Sequence, residues 1–188
     1  ITFDLWFNSQ SANTTQTLIN ELGQSGWAPG WQDAVMGLNT SSQIAGGVYN
    51  GTAGGYVASP SLYNANTWYN ATVTYTANTI TLYVNGVSVT STGAVTATSP
   101  ILYTYPTTTV GARYTLNQPT GQPDWFPGYI AASHIYNRVL TDIEVKNIYS
   151  YTETKYNNIK THKGLSYVDG EIYYCNWPQI VTKEGNKK

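Results

Sequence analysis

The sequence predicts an all-β chain, an antiparallel β-sandwich with one short helix after its closing strand. Three observations carry this. Short stretches alternate apolar and polar residues with a period of two. Gly-, Asn- and Pro-rich turns separate them. The one clear helix start, Thr141-Asp-Ile-Glu144, comes late. Helical periods do not alternate with the strands, which argues against a parallel α/β fold.

Ile1–Asn8 places Ile1, Phe3, Leu5 and Phe7 opposite Thr2, Asp4, Trp6 and Asn8 and reads as a strand. Ser9–Gln16 is a polar turn and Thr17–Leu22 a second strand. Gly23–Gly30 is a loop around Trp27; Gln32–Leu38 and Gln43–Tyr49 are strands, and Asn50–Asn66 reads mostly as loop. Trp68–Thr76 and Thr79–Val84 alternate again, joined by a tight Ala77-Asn78 connection. Asn85-Gly86 suits a type I′ turn, because both residues tolerate positive φ. Val87–Thr90 returns from it; Thr96–Thr108 is ambiguous, Thr109–Tyr114 a strand, Thr115–Pro127 a long loop and Gly128–Asn137 the closing strand. Thr141 and Glu144 form a capping box, in which each side chain satisfies the other's free backbone N–H. The helix is expected over Asp142–Tyr151, with Ile143, Ile148 and Tyr149 toward the sheet. Gly164–Gly170 reads as turns, Glu171–Trp177 as an extra strand, and the last eight residues as frayed. The expected division is a sandwich over residues 1–151 and an extension over 152–188 that packs on the sandwich or a neighbour.

With 188 residues and 41% hydrophobic content the chain can bury a core. Only 10% of residues are charged, well below the usual quarter. Thr, Asn, Ser and Tyr supply the polarity, giving a neutral, hydroxyl-rich surface. The first 112 residues contain no Lys, Arg or His; from Arg113 on stand all nine basic and seven of the ten acidic residues. Nucleic-acid binding needs a basic stripe, which the β-rich part lacks. A single cysteine, Cys175, rules out an internal disulfide. There is no apolar run long enough to span a bilayer. The start at Ile1, inside a strand and without Met, suggests a piece of a longer protein.

Four segments together resemble the laminin-G-like domains of the concanavalin A-like lectin/glucanase superfamily. They are ITFDLWFN (1–8), WYNATVTYTANTITLYVNG (68–86), TVGAR (109–113) and FPGYIAASHIYNRVLTDIEVKNIY (126–149). They match its early strand, its central hairpin, its short IG-type strand and its closing strand with the following helix cap. The resemblance covers residues 1–150 and implies a jelly-roll sandwich whose first strand is missing here. It also implies a range of roles: lectins, adhesion modules, virion and cell-surface proteins, and some glycoside hydrolases. Fold alone does not choose among them.

Glycoside hydrolysis needs two carboxylates flanking the bond. The strands here offer no such pair. Asp142 and Glu144 have the spacing but sit at a helix start, where capping accounts for them; Asp169 and Glu171 flank a turn glycine. Only two histidines exist, His134 and His162, and neither lies in a nucleophile motif. The expectation is therefore no catalytic residue and no enzyme, with His134 a packed or edge residue. Sugar binding uses aromatic faces for stacking, with Asn, Asp or Gln for hydroxyls. Two loops offer that set: Trp27, Trp31, Gln32 and Asp33, and Tyr114, Asn117, Gln122, Asp124 and Trp125. The competing reading of these tryptophans is packing at the sandwich ends or against other subunits. Trp6 and Trp68 lie in strands and read as structural. Calcium is the one cofactor to weigh, since relatives bind it at the sandwich rim. Asp124 and Asn117 are the best donors, in a chain with few carboxylates per loop. Sequons stand at Asn13, Asn39, Asn50 and Asn70, the first three in loops open to glycosylation.

The leading expectation is a non-enzymatic carbohydrate-binding or adhesion module of an extracellular or virion surface protein. The alternative is a structural coat, fibre or decoration subunit that uses the sandwich for packing in a homo-oligomer or larger assembly. A glycoside hydrolase comes third. Partners are thus glycans or neighbouring protein subunits, with no nucleic acid and no membrane insertion.

Overall fold

A computed structural model describes residues 1–22, 32–49, 54–76, 79–92, 107–113, 124–157, 165–168 and 171–174. Its strands are β1 (Thr2–Ser9), β2 (Gln16–Leu22), β3 (Gln32–Leu38), β4 (Gln43–Tyr49), β5 (Gly54–Leu62), β6 (Trp68–Tyr75), β7 (Ile80–Val84) and β8 (Val87–Thr92). Then come β9 (Thr107–Val110), β10 (Ala112–Arg113), β11 (Asp124–Trp125), β12 (Gly128–Tyr136), helix α1 (Asp142–Asn157), β13 (Leu165–Val168) and β14 (Glu171–Tyr174). Contacts divide the chain into Ile1–Tyr149 and Ser150–Lys188. The second unit holds the end of α1 and the β13–β14 hairpin, in which Leu165 pairs with Tyr174.

The first unit is a sandwich of two antiparallel five-stranded sheets, β12-β1-β6-β7-β8 and β5-β4-β3-β2-β9. β1 is an inner strand of the first, between β12 and β6, and is buried along its whole length. Phe3, Leu5 and Phe7 point inward, as the alternation predicts, and join Ala71, Val73, Tyr75, Ile80 and Leu82 of the same sheet. Leu18, Ile19, Val35, Met36, Ile44 and Val57 meet them from the second sheet. The sheets approach closely at Gly46, where a Cβ would stand 2.8 Å from Val73 Cγ2. Tyr75 ties the layers together, its hydroxyl 2.9 Å from the Val35 carbonyl and 2.8 Å from that of Gly47.

The other face of the first sheet is covered by the start of α1. Tyr149 stacks on Trp6 at 5.7 Å and 12°. Leu140 and Val145 pack on Tyr83, whose hydroxyl donates to Asp142 at 2.7 Å. Burial, then that carboxylate, push the Tyr83 hydroxyl up to about 12, so it stays a donor. Asn85 and Gly86 have φ of 51° and 73°, as the expected turn requires. A side chain at Gly86 would run into Tyr149, so the turn is also a seat for the helix. The capping box forms: Glu144 N–H donates to Thr141 Oγ1 at 3.3 Å and Thr141 N–H to Glu144 Oε2 at 2.9 Å.

Several expectations are corrected. Ile143 is 73% exposed, and Val145 takes its place against the sheet. Residues three and four apart share a helix face, which groups Val145, Ile148 and Tyr149 and excludes Ile143. The helix runs to Asn157, because no Gly or Pro interrupts it. The stretch 50–66, read mostly as loop, contains β5. Its glycines and serines carry little strand signal, but pairing with β4 supplies the ladder, and Pro60 is tolerated on an edge strand. Thr109–Tyr114 is not one strand: Gly111, at φ 71°, breaks it into β9 and β10, which belong to different sheets. The Thr115–Pro127 loop contains β11, and the turn-like Gly164–Gly170 contains β13. The Ala77-Asn78 connection, Cys175 and the last eight residues lie outside the described residues. Among the described residues no helix is long and apolar enough to cross a membrane.

The close approach of the sheets at Gly46 is testable. Gly46→Ala should destabilise by about 1–3 kcal/mol through overpacking. Adding Val73→Ala should cost less in that background than in wild type, because it removes the clashing methyls. A urea-unfolding double-mutant cycle reads the coupling, and strict additivity would show that the two layers do not touch there.

Candidate functional site

The loop from Gln10 to Thr15 joins the end of β1 to the start of β2 and is built around Gln16, which is 6% exposed. Gln16 Oε1 accepts from Ser9 Oγ at 2.7 Å. Its Nε2 lies within donating distance of Thr14 Oγ1 (2.8 Å), the Ser11 carbonyl (3.1 Å) and Tyr63 Oη (3.3 Å). One buried amide thus holds the loop, leaving Thr14 and Thr15 exposed. The loop is also tied to the start of β12: Gln10 N–H donates to the Pro127 carbonyl at 2.8 Å, and Gln10 Nε2 to Tyr129 Oη at 3.3 Å.

Across from this loop stands Trp125. The run Trp125-Phe126-Pro127-Gly128 alternates sides. Phe126 is buried edge-on to Phe7 at 6.2 Å, while Trp125 is 55% exposed. Backbone bonds anchor the segment, from Phe126 N–H to the Gly111 carbonyl (2.9 Å) and from Gly111 N–H to that of Leu18 (2.8 Å). Gly128 passes so close to the Asn8 carbonyl and the Phe126 ring that no side chain fits. Trp125 pairs with Ala112, and Arg113 with Asp124, in the two-stranded β10–β11 ladder. Ser11, Thr14, Thr15, Gln16, Thr17, Trp125 and Pro127 line a groove of about 380 Å³. It offers one large aromatic surface and several hydroxyls.

Of the expected site residues, Trp125 is in this groove. Asp124 is its neighbour on β11, and Asp33 lies on β3 paired with Glu21 of β2, in a different sheet from the β10–β11 ladder. Trp27, Trp31, Tyr114, Asn117 and Gln122 lie outside the described residues. The hydroxyl wall was missed by the sequence reading. Its signal is the dense SQSANTTQT run, 9–17, but only the pairing of Ser9 with Gly128 brings that run beside Trp125.

Asn13 and Asn39 are in loops, as expected, and Asn50 lies outside the described residues. Asn13 Oδ1 accepts from Ser42 Oγ at 2.6 Å. Asn39 Nδ2 donates to Gln43 Oε1 (3.0 Å) and Tyr56 Oη (3.3 Å), so a glycan there would displace one bond. Asn70 is fully buried, consistent with its strand position. Among the described residues no three of His, Cys, Asp and Glu come together; of the two expected calcium donors, Asp124 is on β11 and Asn117 lies outside those residues.

A second polar group lies on the helix-covered face of the first sheet. Asp4, 1% exposed, accepts from Asn70 Nδ2 and Thr72 Oγ1, each at 2.8 Å, and faces His134 Nδ1 at 3.1 Å. The hydrogen bond to Asp4 raises the His134 pKa; burial opposes it and the carboxylate's charge adds to it. His134 is thus an edge-strand residue with a structural partner. Asp142 accepts from Tyr83, and Glu144 is bidentate to Arg138 at 2.9 and 2.7 Å. The Arg138 bonds, then those from Thr141, hold Glu144 down at about 2. Each of the three carboxylates of Ile1–Tyr149 with a described side chain has a structural role.

The pattern of the Concanavalin A-like lectin/glucanases superfamily matches residues 1–146, and the chain belongs to that superfamily. No curated protein matches it by sequence. Among solved structures it is similar to the CBM40 of Ruminococcus gnavus IT-sialidase bound to alpha2,3 sialyllactose, at 14% identity and TM-score 0.63, covering 78% of this chain and 80% of that one. It is similar to a native heptameric SAP-like pentraxin from Limulus polyphemus, at 12% identity and TM-score 0.56, covering 79% and 68%. The binding domain of Botulinum neurotoxin DC in complex with rat synaptotagmin II shares 16% identity and TM-score 0.56, over 84% of this chain and 36% of that one. At these identities the likeness is one of fold.

The Asp4–His134 pair makes stability depend on pH. The folded pKa of His134 is raised, so its contribution is complete below the unfolded value of about 6.5 and is lost as pH rises through the folded value. The urea midpoint of wild type should therefore fall, relative to that of His134→Gln, across that window. Parallel pH profiles for the two proteins would show that the pair is not coupled to folding.

Proposed function

We propose that the chain is a non-enzymatic carbohydrate-binding module and that the Trp125 groove is its sugar site. One observation carries this: an exposed indole held by a buried Phe126 anchor, facing a hydroxyl-lined loop locked by Gln16. A sugar ring has an apolar C–H face and a rim of hydroxyls. The indole face suits the first, and Ser11, Thr14 and Thr15 suit the second. Both walls are held by short hydrogen bonds before any ligand arrives, which lowers the ordering cost of binding. Membership of a lectin-containing superfamily and likeness to a sialyllactose-bound CBM40 support the reading. An extracellular or virion-surface setting fits the low charge and the loop sequons at Asn13 and Asn39.

A second reading is a subunit of an assembly. Tyr56 and Leu62, 59% and 64% exposed, stand on the edge strand β5, and one fold neighbour is heptameric. Light scattering separates the two: a monomer that binds glycan supports the module, and a stable oligomer indifferent to glycan supports the packing unit.

The test of the site is Trp125→Ala in a glycan-array screen followed by titration of the best hit. Loss of a central aromatic contact should weaken binding by about 2 kcal/mol, roughly thirtyfold. The melting temperature should fall only modestly, because more than half of the side chain is exposed. Wild-type affinity in Trp125→Ala would remove the groove from consideration. Titration with EDTA runs in parallel, and a calcium requirement that is lost in Asp124→Ala would support a metal at Asp124 and Asn117.

A further inference from the structure

We propose that the glycan class taken by the Trp125 groove is neutral: oligosaccharide without a sialic acid, uronic acid or sulfate at the site. This rests on the sugar-site reading above and narrows it. A sugar carboxylate or sulfate is recognised by fixed cationic side chains, above all arginine, or by a nest of free backbone N–H groups. The sandwich unit is poor in the first.

The cations are few and mostly committed. Ile1–Tyr149 contains only Arg113, His134, Arg138 and Lys146 as basic residues. This holds for its loops too, since residues 1–112 and 114–133 have no Lys, Arg or His. Arg138 is bidentate to Glu144, and its carbonyl accepts from Thr2 Oγ1 at 2.9 Å. Thr2 opens β1 and Ser9 closes it at the groove, a separation of about 23 Å at the usual strand rise. His134 faces Asp4 on the helix-covered face, and Lys146 lies on α1. Arg113 alone stands near Trp125, and in the β10–β11 ladder it is directly opposite Asp124. Within Ile1–Tyr149 that cross-strand pair carries opposite formal charges.

Three backbone donors of the loop are also engaged. Gln10 N–H is bound to the Pro127 carbonyl, Ser11 N–H to Ser9 Oγ and Asn13 N–H to Ser42 Oγ. The Gln16 amide is spent on the loop itself. What the loop offers a ligand are the hydroxyl of Thr15 and the remaining capacity of those of Ser11 and Thr14, which lie 3.2 and 2.8 Å from Gln16 Nε2. Such groups match sugar hydroxyls and give no preference to an anion. The CBM40 neighbour is bound to sialyllactose, so the shared fold does not by itself imply this selectivity; the side chains of this groove do.

The experiment is a paired glycan array. Neutral oligosaccharides, lactose among them, are printed beside their α2,3-sialylated, α2,6-sialylated and sulfated derivatives. The whole chain and Trp125→Ala are each applied at low and high NaCl. The expected result is that neutral parents bind at least as tightly as their acidic derivatives, that Trp125→Ala loses the signal, and that binding changes by less than about twofold with salt, as expected without ion pairing. Tighter binding of an acidic derivative, lost in Trp125→Ala, would overturn the neutral class while leaving the sugar site standing. Absence of all glycan binding, or binding indifferent to Trp125→Ala, would overturn the site reading and the inference with it.

Discussion

Every part of the sandwich unit depends on the burial of β1 on both faces. Its inward residues, Phe3, Leu5 and Phe7, are the middle of the core. Its outward residues, Asp4 and Trp6, are the floor on which the first part of α1 and the edge strand β12 settle. A strand buried on both faces cannot slip by one residue without exchanging a phenylalanine for a carboxylate. That fixes the register of β6 and β12 against it, and so the position of everything they carry.

The groove is a consequence of that register. Ser9 ends β1 opposite Gly128, which begins β12. The two segments that emerge there, the hydroxyl loop and the Trp125-Phe126-Pro127 run, are therefore neighbours although more than a hundred residues apart in sequence. Phe126 makes the arrangement rigid by sinking into the core beside Phe7, which forces Trp125 outward. An exposed tryptophan would ordinarily be a liability. Here its neighbours are polar groups already satisfied by one another, so the cost of presenting it is small and the surface is ready for a ligand.

The charge pattern separates structural work from recognition. Asp4, Glu144 and Asp142 each have a fixed partner: His134, Arg138 and Tyr83. They lie on the helix-covered face or at the helix start. The groove end of β1 is left to hydroxyls, an amide and an indole. A low-charge sequence thus uses ions to position the helix and hydroxyls to meet the outside.

Period-two alternation in 1–8 and 68–84, the Asn85-Gly86 turn and the Thr141–Glu144 capping box were legible because each is local: neighbouring residues decide it. Trp125 was legible as a candidate for the same reason, since an aromatic among Pro, Gly and Asp marks a loop tip. β5 was not, because Gly, Ser, Ala and Pro dominate it, and β13 was not, because its four residues stand between Gly164 and Gly170; in both the ladder comes from a partner. Gly111 turning one apparent strand into two, and Val145 rather than Ile143 facing the sheet, depended on what lay opposite. The hydroxyl wall of the groove was hidden longest. Nothing in SQSANTTQT points to Trp125, and only the antiparallel pairing of β1 with β12 brings them together. The amino-acid sequence by itself determined the strands with strong alternation, the caps and the scarcity of charge, all short-range or compositional properties. The tertiary structure decided which of its many Ser, Thr and Trp residues share a site, because that depends on long-range register and on a phenylalanine finding the core.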